Sequence, residues 1–222
     1  MHTLTQPHVA ALLDELFADA ERADAPLMAQ MQALPAAERA ALLADYKRMY
    51  GAAKDAYLPV SREAGVLLYS LARARGARTI VEFGTSFGIS TIYLAAALRD
   101  AGGGQLITSE LEPSKVARAE ANLRRAGLAE WVEFRTGDAL ETLAGLTDDI
   151  DFLYLDGAKG LYRPVLGLVE PRLASGAVIA ADNIDMALAA PYTAYVRDPA
   201  NGYASTRVVV GEALEITVRA TR

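Results

Sequence analysis

Two acidic segments in the second half of the chain combine residue types that could hold a divalent cation. Asp156 follows one apolar run, and Asp182 with Asn183 follows the next. Because the carboxyl ends of neighbouring parallel strands meet in the crevice of an open α/β sheet, we expect these side chains to converge. Two carboxylates and a carboxamide are oxygen ligands of the kind that Mg²⁺ or Ca²⁺ takes. Converging acids repel each other, so a metal or the nearby Lys159 must neutralise them.

Each of these residues also has a simpler interpretation. Asp156 and Asp182 could cap turns and pair with surface lysines or arginines. Lys159 could be an ion-pair partner of Asp156 without any proton role. Since both strands end in the same way and Asn183 is adjacent, the pattern favours a metal site.

A glycine turn, Glu82-x-Gly84-x-x-x-Gly88, stands between an apolar run and a helical pattern. Glycine lets the backbone bend sharply and approach a ligand without a Cβ atom in the way, although close packing alone could also require it. Glu110 ends the next predicted strand, where a carboxylate can accept hydrogen bonds from both ribose hydroxyls of a nucleoside, or it could simply be a solvated acid. Asp138 follows the third strand. Its carboxylate could accept a hydrogen bond from an adenine amino group, cap the next helix, or do both.

The elements that must position these residues alternate regularly. Strands are predicted over 79–83, 105–109, 131–135, 150–155 and 177–181, with helices over 89–99, 113–126, 139–146 and 162–173. Residues 185–204 lack strong periodicity, and 205–210 with 213–218 alternate as a closing hairpin. This order predicts an α/β fold: a doubly wound, mostly parallel, seven-stranded Rossmann-like sheet with an antiparallel C-terminal hairpin.

Residues 1–60 carry no strand signal and predict two or three amphipathic helices. We therefore divide the chain into an N-terminal helical extension, 1–60, and a sheet domain, 61–222. Many apolar residues of the extension need a partner surface, so we expect it to serve as a lid, a dimer contact or both. The prediction is a homodimer.

Composition limits the classes of function. The chain has 222 residues, 52% of them hydrophobic, and a formal net charge of −6, so no broad basic surface is available for nucleic acid. It contains no cysteine, which excludes disulfides, thiolate zinc sites and cysteine nucleophiles. The start of the chain lacks a signal-peptide pattern, and no run approaches membrane-spanning length. We expect a soluble, cytoplasmic protein without a membrane partner.

Together the motifs resemble those of the cation-dependent class I S-adenosylmethionine O-methyltransferases, the family of catechol and caffeoyl-coenzyme A O-methyltransferases. The resemblance extends from about residue 60 to residue 218. It is most specific in Glu82-Phe-Gly84-Thr-Ser-Phe-Gly88-Ile-Ser90, Glu110, Asp156-Gly-Ala-Lys159 and Asp182-Asn183. The resemblance implies S-adenosylmethionine as cofactor and the methyltransferase variant of the Rossmann-like fold.

The family's functional residues carry over to matching positions. The implied cofactor-binding residues are Val60, Glu82, Gly84, Thr85, Ser86, Ser90, Glu110, Leu111, Gly137, Asp138, Ala139 and Asp156. Among them, Val60, Glu82, Gly84 and Ser90 would line the methionine side. Asp156, Asp182 and Asn183 would hold a divalent cation, Mg²⁺ first among the candidates, and Lys159 would be the catalytic base.

The activity that the resemblance implies is methyl transfer to a hydroxyl of a small aromatic vicinal diol. A bound cation would coordinate both diol oxygens and lower the pKa of one hydroxyl. One alternative is an O-methyltransferase for a hydroxylated tRNA base, which the acidic composition disfavours. The other is a cofactor-binding protein of the same fold without turnover. The segment after Asn183 does not identify the acceptor.

Overall fold

The structure is a computed structural model that describes residues 2–220. The helices are α1 Pro7–Ala33, α2 Ala36–Ala44, α3 Tyr46–Ala52, α4 Arg62–Arg75, α5 Ile89–Asp100, α6 Pro113–Arg125, α7 Ala139–Thr142, α8 Tyr162–Val169 and α9 Ala190–Arg197. The strands are β1 Thr79–Phe83, β2 Gln105–Glu110, β3 Val132–Thr136, β4 Ile150–Leu155, β5 Leu173–Ala181, β6 Tyr203–Val210 and β7 Glu212–Arg219. Across residues 2–220, the search for a helix with the length and apolarity to cross a bilayer finds none.

The strands form one sheet in the order β3-β2-β1-β4-β5-β7-β6. β1 to β5 pair in parallel, whereas β7 pairs antiparallel with both β5 and β6. The order runs outwards in opposite directions from β1 and β4, so a topological switch point lies between these two strands. The predicted fold, including the antiparallel C-terminal hairpin, is confirmed.

Helices cover both faces of the sheet, which explains why its central strands are continuously apolar. Ile80 and Val81 of β1 and the run 152–155 of β4 are fully buried. One core cluster joins the sheet to α1, α4, α5 and α6, and the other joins it to α7, α8 and α9. The two layers fix the positions of the strand tips, where the acidic residues stand.

The N-terminal helices divide their contacts between the core and the strand tips. In α1, the buried residues of the first half belong to the same core cluster as α4 and α5: Val9, Leu12, Leu13 and Leu16. Further along the chain, Leu27, Ala53 and Ala56 form a separate small cluster. The start of the extension is therefore continuous with the core of the sheet domain, while the lid, the dimer contact and the domain boundary stay predictions.

Three element boundaries differ from the predictions by four residues, and the other predicted strand and helix boundaries differ by at most two. Helix α8 ends at Val169, and a 3-10 turn over Glu170–Arg172 follows, because Pro171 has no backbone N–H to continue the α-helical hydrogen bonds. β5 starts at Leu173 rather than 177, and α7 ends at Thr142 rather than 146. Helix α9 lies in the segment 185–204, which lacks strong periodicity because the buried face of the helix is only Tyr192, Thr193 and Val196.

Candidate functional site

A cavity of about 640 Å³ opens at the carboxyl ends of β1, β2, β4 and β5. Its volume lies within the range of small-molecule sites, about 300–1,000 Å³. The sheet side contributes Gly84, Ser86, Glu110, Asp156, Lys159, Asp182 and Asn183 to the wall. The N-terminal helices contribute the apolar side, which includes Leu27, Met28, Met31, Leu43 and Met49.

Asp156 and Asp182 stand side by side because the sheet ladder continues one residue beyond each strand. The backbone N–H of Asp156 donates to the Phe83 carbonyl (2.8 Å), and that of Asp182 donates to the Leu155 carbonyl (2.9 Å). The Tyr154 hydroxyl then contacts both acids, at 3.1 Å from Asp156 Oδ2 and 3.5 Å from Asp182 Oδ2. The structure thus brings the two predicted metal-binding carboxylates together.

The pair carries more negative charge than the protein neutralises. Asp182 is only 3% exposed. Its burial, together with the neighbouring charge of Asp156, raises the pKa of Asp182 to about 7. Lys159 opposes this shift, and its Nζ lies 2.8 Å from Asp156 Oδ1. A further cation beside the two acids would stabilise the ionised pair.

Asn183 completes a set of oxygen donors at the cavity wall. It adopts a left-handed backbone conformation (φ 52°), which asparagine tolerates better than most residues, and its backbone N–H donates to Asp182 Oδ1 at 2.8 Å. Within residues 2–220, no three histidine, cysteine or acidic residues cluster as a metal site. Two carboxylates and a carboxamide nevertheless form a donor set that fits a hard divalent cation with open positions.

Lys159 is held over the acidic pair by two contacts. Its Nζ donates to Asp156 Oδ1, and it lies 5.3 Å from the centroid of the Tyr162 ring. The Tyr162 hydroxyl in turn donates to the Asp182 backbone carbonyl at 3.0 Å. The contact with Asp156 agrees with the simpler interpretation of Lys159 as an ion-pair partner. The position of the Lys159 amine at the cavity wall also suits a proton acceptor.

The glycine turn after β1 is required by packing. Gly84 has φ 104°, and a Cβ atom there would lie 2.6 Å from the backbone nitrogen of Gly157. Gly88 has φ 86°, and a Cβ atom there would lie 2.9 Å from the Leu123 side chain. The first glycine therefore lets the turns after β1 and β4 touch, and the second lets α5 pack on α6. Gly84 also lines the cavity.

Glu82 is fully buried beneath the turn and has three hydroxyl partners. Ser90 donates to Oε1 at 2.6 Å, and Thr91 and Thr108 donate to Oε2 at 2.7 and 2.6 Å. Burial outweighs these hydrogen bonds and raises the pKa of Glu82 to about 7. Its carboxylate and Ser90 thus hold β1, β2 and α5 together, and their predicted contact with the cofactor stays a prediction.

Glu110 is an oriented carboxylate at the tip of β2. It is 3% exposed and accepts hydrogen bonds from the backbone N–H groups of Ser86 (2.9 Å) and Glu112 (3.0 Å). Burial raises its pKa, while these N–H donors and Lys115 act in the opposite direction. A buried, fixed acid on the cavity wall suits the predicted contact with ribose hydroxyls.

Asp138 meets a partner that the sequence did not predict. Its Oδ1 caps α7 by accepting from the Leu140 N–H (3.0 Å), and its Oδ2 accepts from the Tyr46 hydroxyl (2.7 Å). The bond from Tyr46 is the main cause of a lowered Asp138 pKa. Tyr50, also on α3, lies against the backbone amide of Ala158, and burial raises its pKa well above the ordinary value. The only signal in the sequence was the prediction of amphipathic helices over residues 1–60, which include both tyrosines.

The remaining predicted cofactor-binding residues lie beside the cavity rather than on its wall. Val60 is 3% exposed and belongs to the core. Thr85 is 1% exposed and shares a hydrogen bond with Thr108. Leu111 follows the tip of β2, while Gly137 and Ala139 flank Asp138 after β3. Their roles stay predictions.

The strand order, the glycine turn after β1 and the acid at the tip of β2 define a Rossmann-like class I methyltransferase fold. A family model described as a methyltransferase domain matches residues 81–184. The chain is similar to known O-methyltransferases, as the comparisons below show.

Three similar proteins illustrate this relationship. A catechol O-methyltransferase of Niastella koreensis is 36% identical over 131 residues, which cover 57% of this chain and 58% of that protein. A catechol O-methyltransferase of Mycobacterium tuberculosis is 38% identical over 129 residues, which cover 57% of each. This chain thus spans less than two thirds of the length of these curated relatives. The O-methyltransferase from Bacillus cereus in complex with SAH has a TM-score of 0.67 and 27% identity, covering 81% of this chain and 90% of that one.

Proposed function

We propose that this protein transfers a methyl group from S-adenosylmethionine to one hydroxyl of a small aromatic vicinal diol, with the help of a divalent cation. One observation carries the proposal: Asp156, Lys159 and Asp182 converge on the same cavity that Gly84 and Glu110 line. The O-methyltransferase relatives support the reaction class, and the catechol O-methyltransferases among them support the diol.

The cofactor would lie across the tips of β1, β2 and β3. Its sulfonium supplies an electrophilic methyl group. Glu110 would accept hydrogen bonds from the ribose, because two backbone N–H groups already orient its carboxylate towards the cavity wall. Gly84 and Ser86 would face the methionine portion, and Asp138 the adenine.

Asp156, Asp182 and Asn183 would hold the cation, with Mg²⁺ as the first candidate. When bound, a divalent cation orients adjacent substrate oxygens and lowers the pKa of a hydroxyl that it contacts. The buried pair of carboxylates supports such a site because Lys159 can neutralise only one of the two charges. Asn183 adds a neutral oxygen donor next to Asp182.

Lys159 would act as the general base. Its bond to Asp156 orients the amine at the cavity wall, and its unprotonated form can take the proton of the reacting hydroxyl. Proton removal makes the oxygen a stronger nucleophile for in-line attack on the methyl group. The Tyr162 ring, which the amine faces, restricts the conformations of the Lys159 side chain.

The apolar side of the cavity supports an aromatic acceptor. Leu27, Met31 and Met49 offer flexible apolar contacts, and methionine sulfur packs favourably against aromatic rings. The diol would point towards the acidic pair, and the ring would lie under α1 to α3.

The test is a transfer assay with labelled S-adenosylmethionine, Mg²⁺ and a panel of catechols, flavonoids and hydroxycinnamates. Each diol is paired with its monohydroxy counterpart as a control. We expect label on vicinal diols and none on monohydroxy compounds. Cofactor binding by calorimetry without transfer to any panel member would instead identify a binding protein without turnover, and labelling of bulk tRNA would identify the tRNA alternative.

A further inference from the structure

Lys115, in the first turn of α6, is a buried cation that the reaction above does not use. Its side chain lines the cavity, yet the residue is only 4% exposed. Its Nζ donates to Ser86 Oγ at 3.3 Å and lies 5.4 Å from the centroid of the Phe87 ring. An ammonium group has three donor hydrogens, and in the described part of the chain only one of them is used.

The acids nearest to Lys115 are engaged elsewhere. Both carboxylate oxygens of Glu110 accept hydrogen bonds from backbone N–H groups. The carboxylate of Asp24 accepts hydrogen bonds from the backbone N–H groups of Tyr57 (2.6 Å) and Leu58 (2.8 Å). Glu112 and Asp55 also act on the charge of Lys115. Among residues 2–220, no carboxylate comes close enough to form an ion pair with it.

A buried charge without a close partner costs free energy unless a ligand supplies the missing one. Burial lowers the pKa of Lys115, while the surrounding acids oppose the shift. The ammonium is therefore placed to receive an anion that enters the cavity. S-adenosylmethionine has one anionic group, its α-carboxylate, since its α-ammonium and its sulfonium are both positive.

Three cationic side chains line the described part of the cavity: Arg39, Lys115 and Lys159. Lys159 is paired with Asp156. Arg39 belongs to α2 on the apolar side and contacts the Met31 carbonyl at 3.4 Å. Lys115 contacts Ser86, which would face the methionine portion of the cofactor.

We propose that Lys115 binds the α-carboxylate of S-adenosylmethionine and thereby positions the amino-acid end of the cofactor. The assignment rests on the proposed function. The Ser86 hydroxyl donates to the Tyr57 carbonyl (2.6 Å), so its oxygen accepts from Lys115 and aims the amine. The remaining N–H donors of the amine would then be available to the carboxylate.

The test is a calorimetric cycle with two ligands and two forms of the protein. The ligands are S-adenosylhomocysteine and its decarboxylated analogue, which lacks only the α-carboxylate. For wild-type protein we expect a preference for S-adenosylhomocysteine of about 10- to 100-fold, the size of one charge-assisted hydrogen bond. Lys115→Met should abolish most of this preference by weakening S-adenosylhomocysteine alone.

Control variants separate the possible causes. Lys115→Arg should keep a preference, and Arg39→Met should leave it unchanged. Equal weakening of both ligands by Lys115→Met, or loss of the preference in Arg39→Met instead, would overturn the assignment. If Lys115→Met does not fold, Lys115→Gln serves in its place with the same expectation. Failure of wild-type protein to bind S-adenosylhomocysteine would count against the proposed function itself.

Discussion

Glu82 and Asp182 are both buried acids whose pKa is raised to about 7, but their surroundings differ. Glu82 accepts hydrogen bonds from three hydroxyls and faces the interior. Asp182 faces the cavity and stands next to a second acid. The first arrangement stabilises the junction of β1, β2 and α5, whereas the second leaves negative charge available to a ligand.

Glu82→Gln should flatten the pH dependence of stability. A folded pKa of about 7 above an ordinary 4.5 means that the folded state binds more protons between these values. The free energy of unfolding therefore falls as pH rises through this window, by about 3 kcal/mol in all. Glutamine cannot titrate, so the contribution of residue 82 to the pH dependence of the free energy of unfolding disappears. Urea unfolding at pH 4.5 to 7.5 measures the slope, with the exposed Glu130→Gln as control; equal slopes for wild type and Glu82→Gln would contradict the expectation.

Asp182→Ala should abolish methyl transfer and leave S-adenosylhomocysteine affinity within a few-fold of wild type. The variant removes one of the two carboxylates that would hold the cation, while Gly84 and Glu110 remain. Turnover with Mg²⁺ and calorimetric binding are measured in parallel, with the exposed Asp149→Ala as control. Full turnover of wild-type protein in EDTA would rule out the metal.

Lys159→Met should lower kcat by about 100-fold or more, the usual contribution of a general base. The side chain keeps its length and loses its proton acceptor, so the affinity for S-adenosylhomocysteine should hardly change. The readout is the pH–rate profile, from which the limb due to the base should vanish. An unchanged profile would leave Lys159 with a structural role only. Lys54→Met, at an exposed position, is the control.

At the scale of elements, the turns after β1 and β4 and helix α3 shape the site. Gly84 and Gly157 touch backbone to backbone, which draws the tips of β1 and β4 together beside Asp156. From the other side, α3 brings Tyr46 to Asp138. The site is therefore formed between strand tips and a helix distant in sequence.

Gly84→Ala should destabilise the protein far more than Gly76→Ala. Both glycines have positive φ, so alanine costs about 1–2 kcal/mol at either site. At Gly76 the new methyl group meets no described residue within 4 Å, whereas at Gly84 it clashes with the backbone of Gly157 and Asp156. Urea unfolding measures the difference. Equal losses would show that the contact between the two turns relaxes freely.

At the scale of the whole molecule, the N-terminal helices are anchored at one end and cover the site at the other. The start of α1 packs in the sheet core, and Arg125 of α6 forms an ion pair with Glu15 at 2.6 Å. The end of α1, with α2 and α3, supplies the apolar side of the cavity. This arrangement is compatible with the lid that the sequence predicts.

Leu12→Ala should lower the stability of the whole domain. Leu12 is 4% exposed within the main core, and such a truncation costs about 2–5 kcal/mol through lost burial and a cavity. Thermal and urea unfolding should remain one transition shifted to lower values, with the exposed Ala18→Ser as control. A separate early transition would show that α1 unfolds independently of the sheet.

Much of this architecture could be predicted from local patterns. Alternating apolar runs and helical stripes identified the parallel strands, because burial on both faces leaves a continuous apolar signature. The acids at strand ends, such as Glu110 and Asp156, were recognisable because parallel strands share one edge. Short elements could not be predicted in this way. Helix α9 spans eight residues, which are too few to show a helical hydrophobic period.

By itself, the sequence determined the sheet, its helical layers and the edge at which the acids stand, since all of these follow from hydrophobic periodicity and strand direction. Only the tertiary structure decided that Tyr46 meets Asp138, that Gly84 touches Gly157, and that Lys115 is buried with no close acidic partner among residues 2–220. Such contacts join residues from separate elements. Their distances depend on how complete helices and strands pack, and no local pattern encodes that packing.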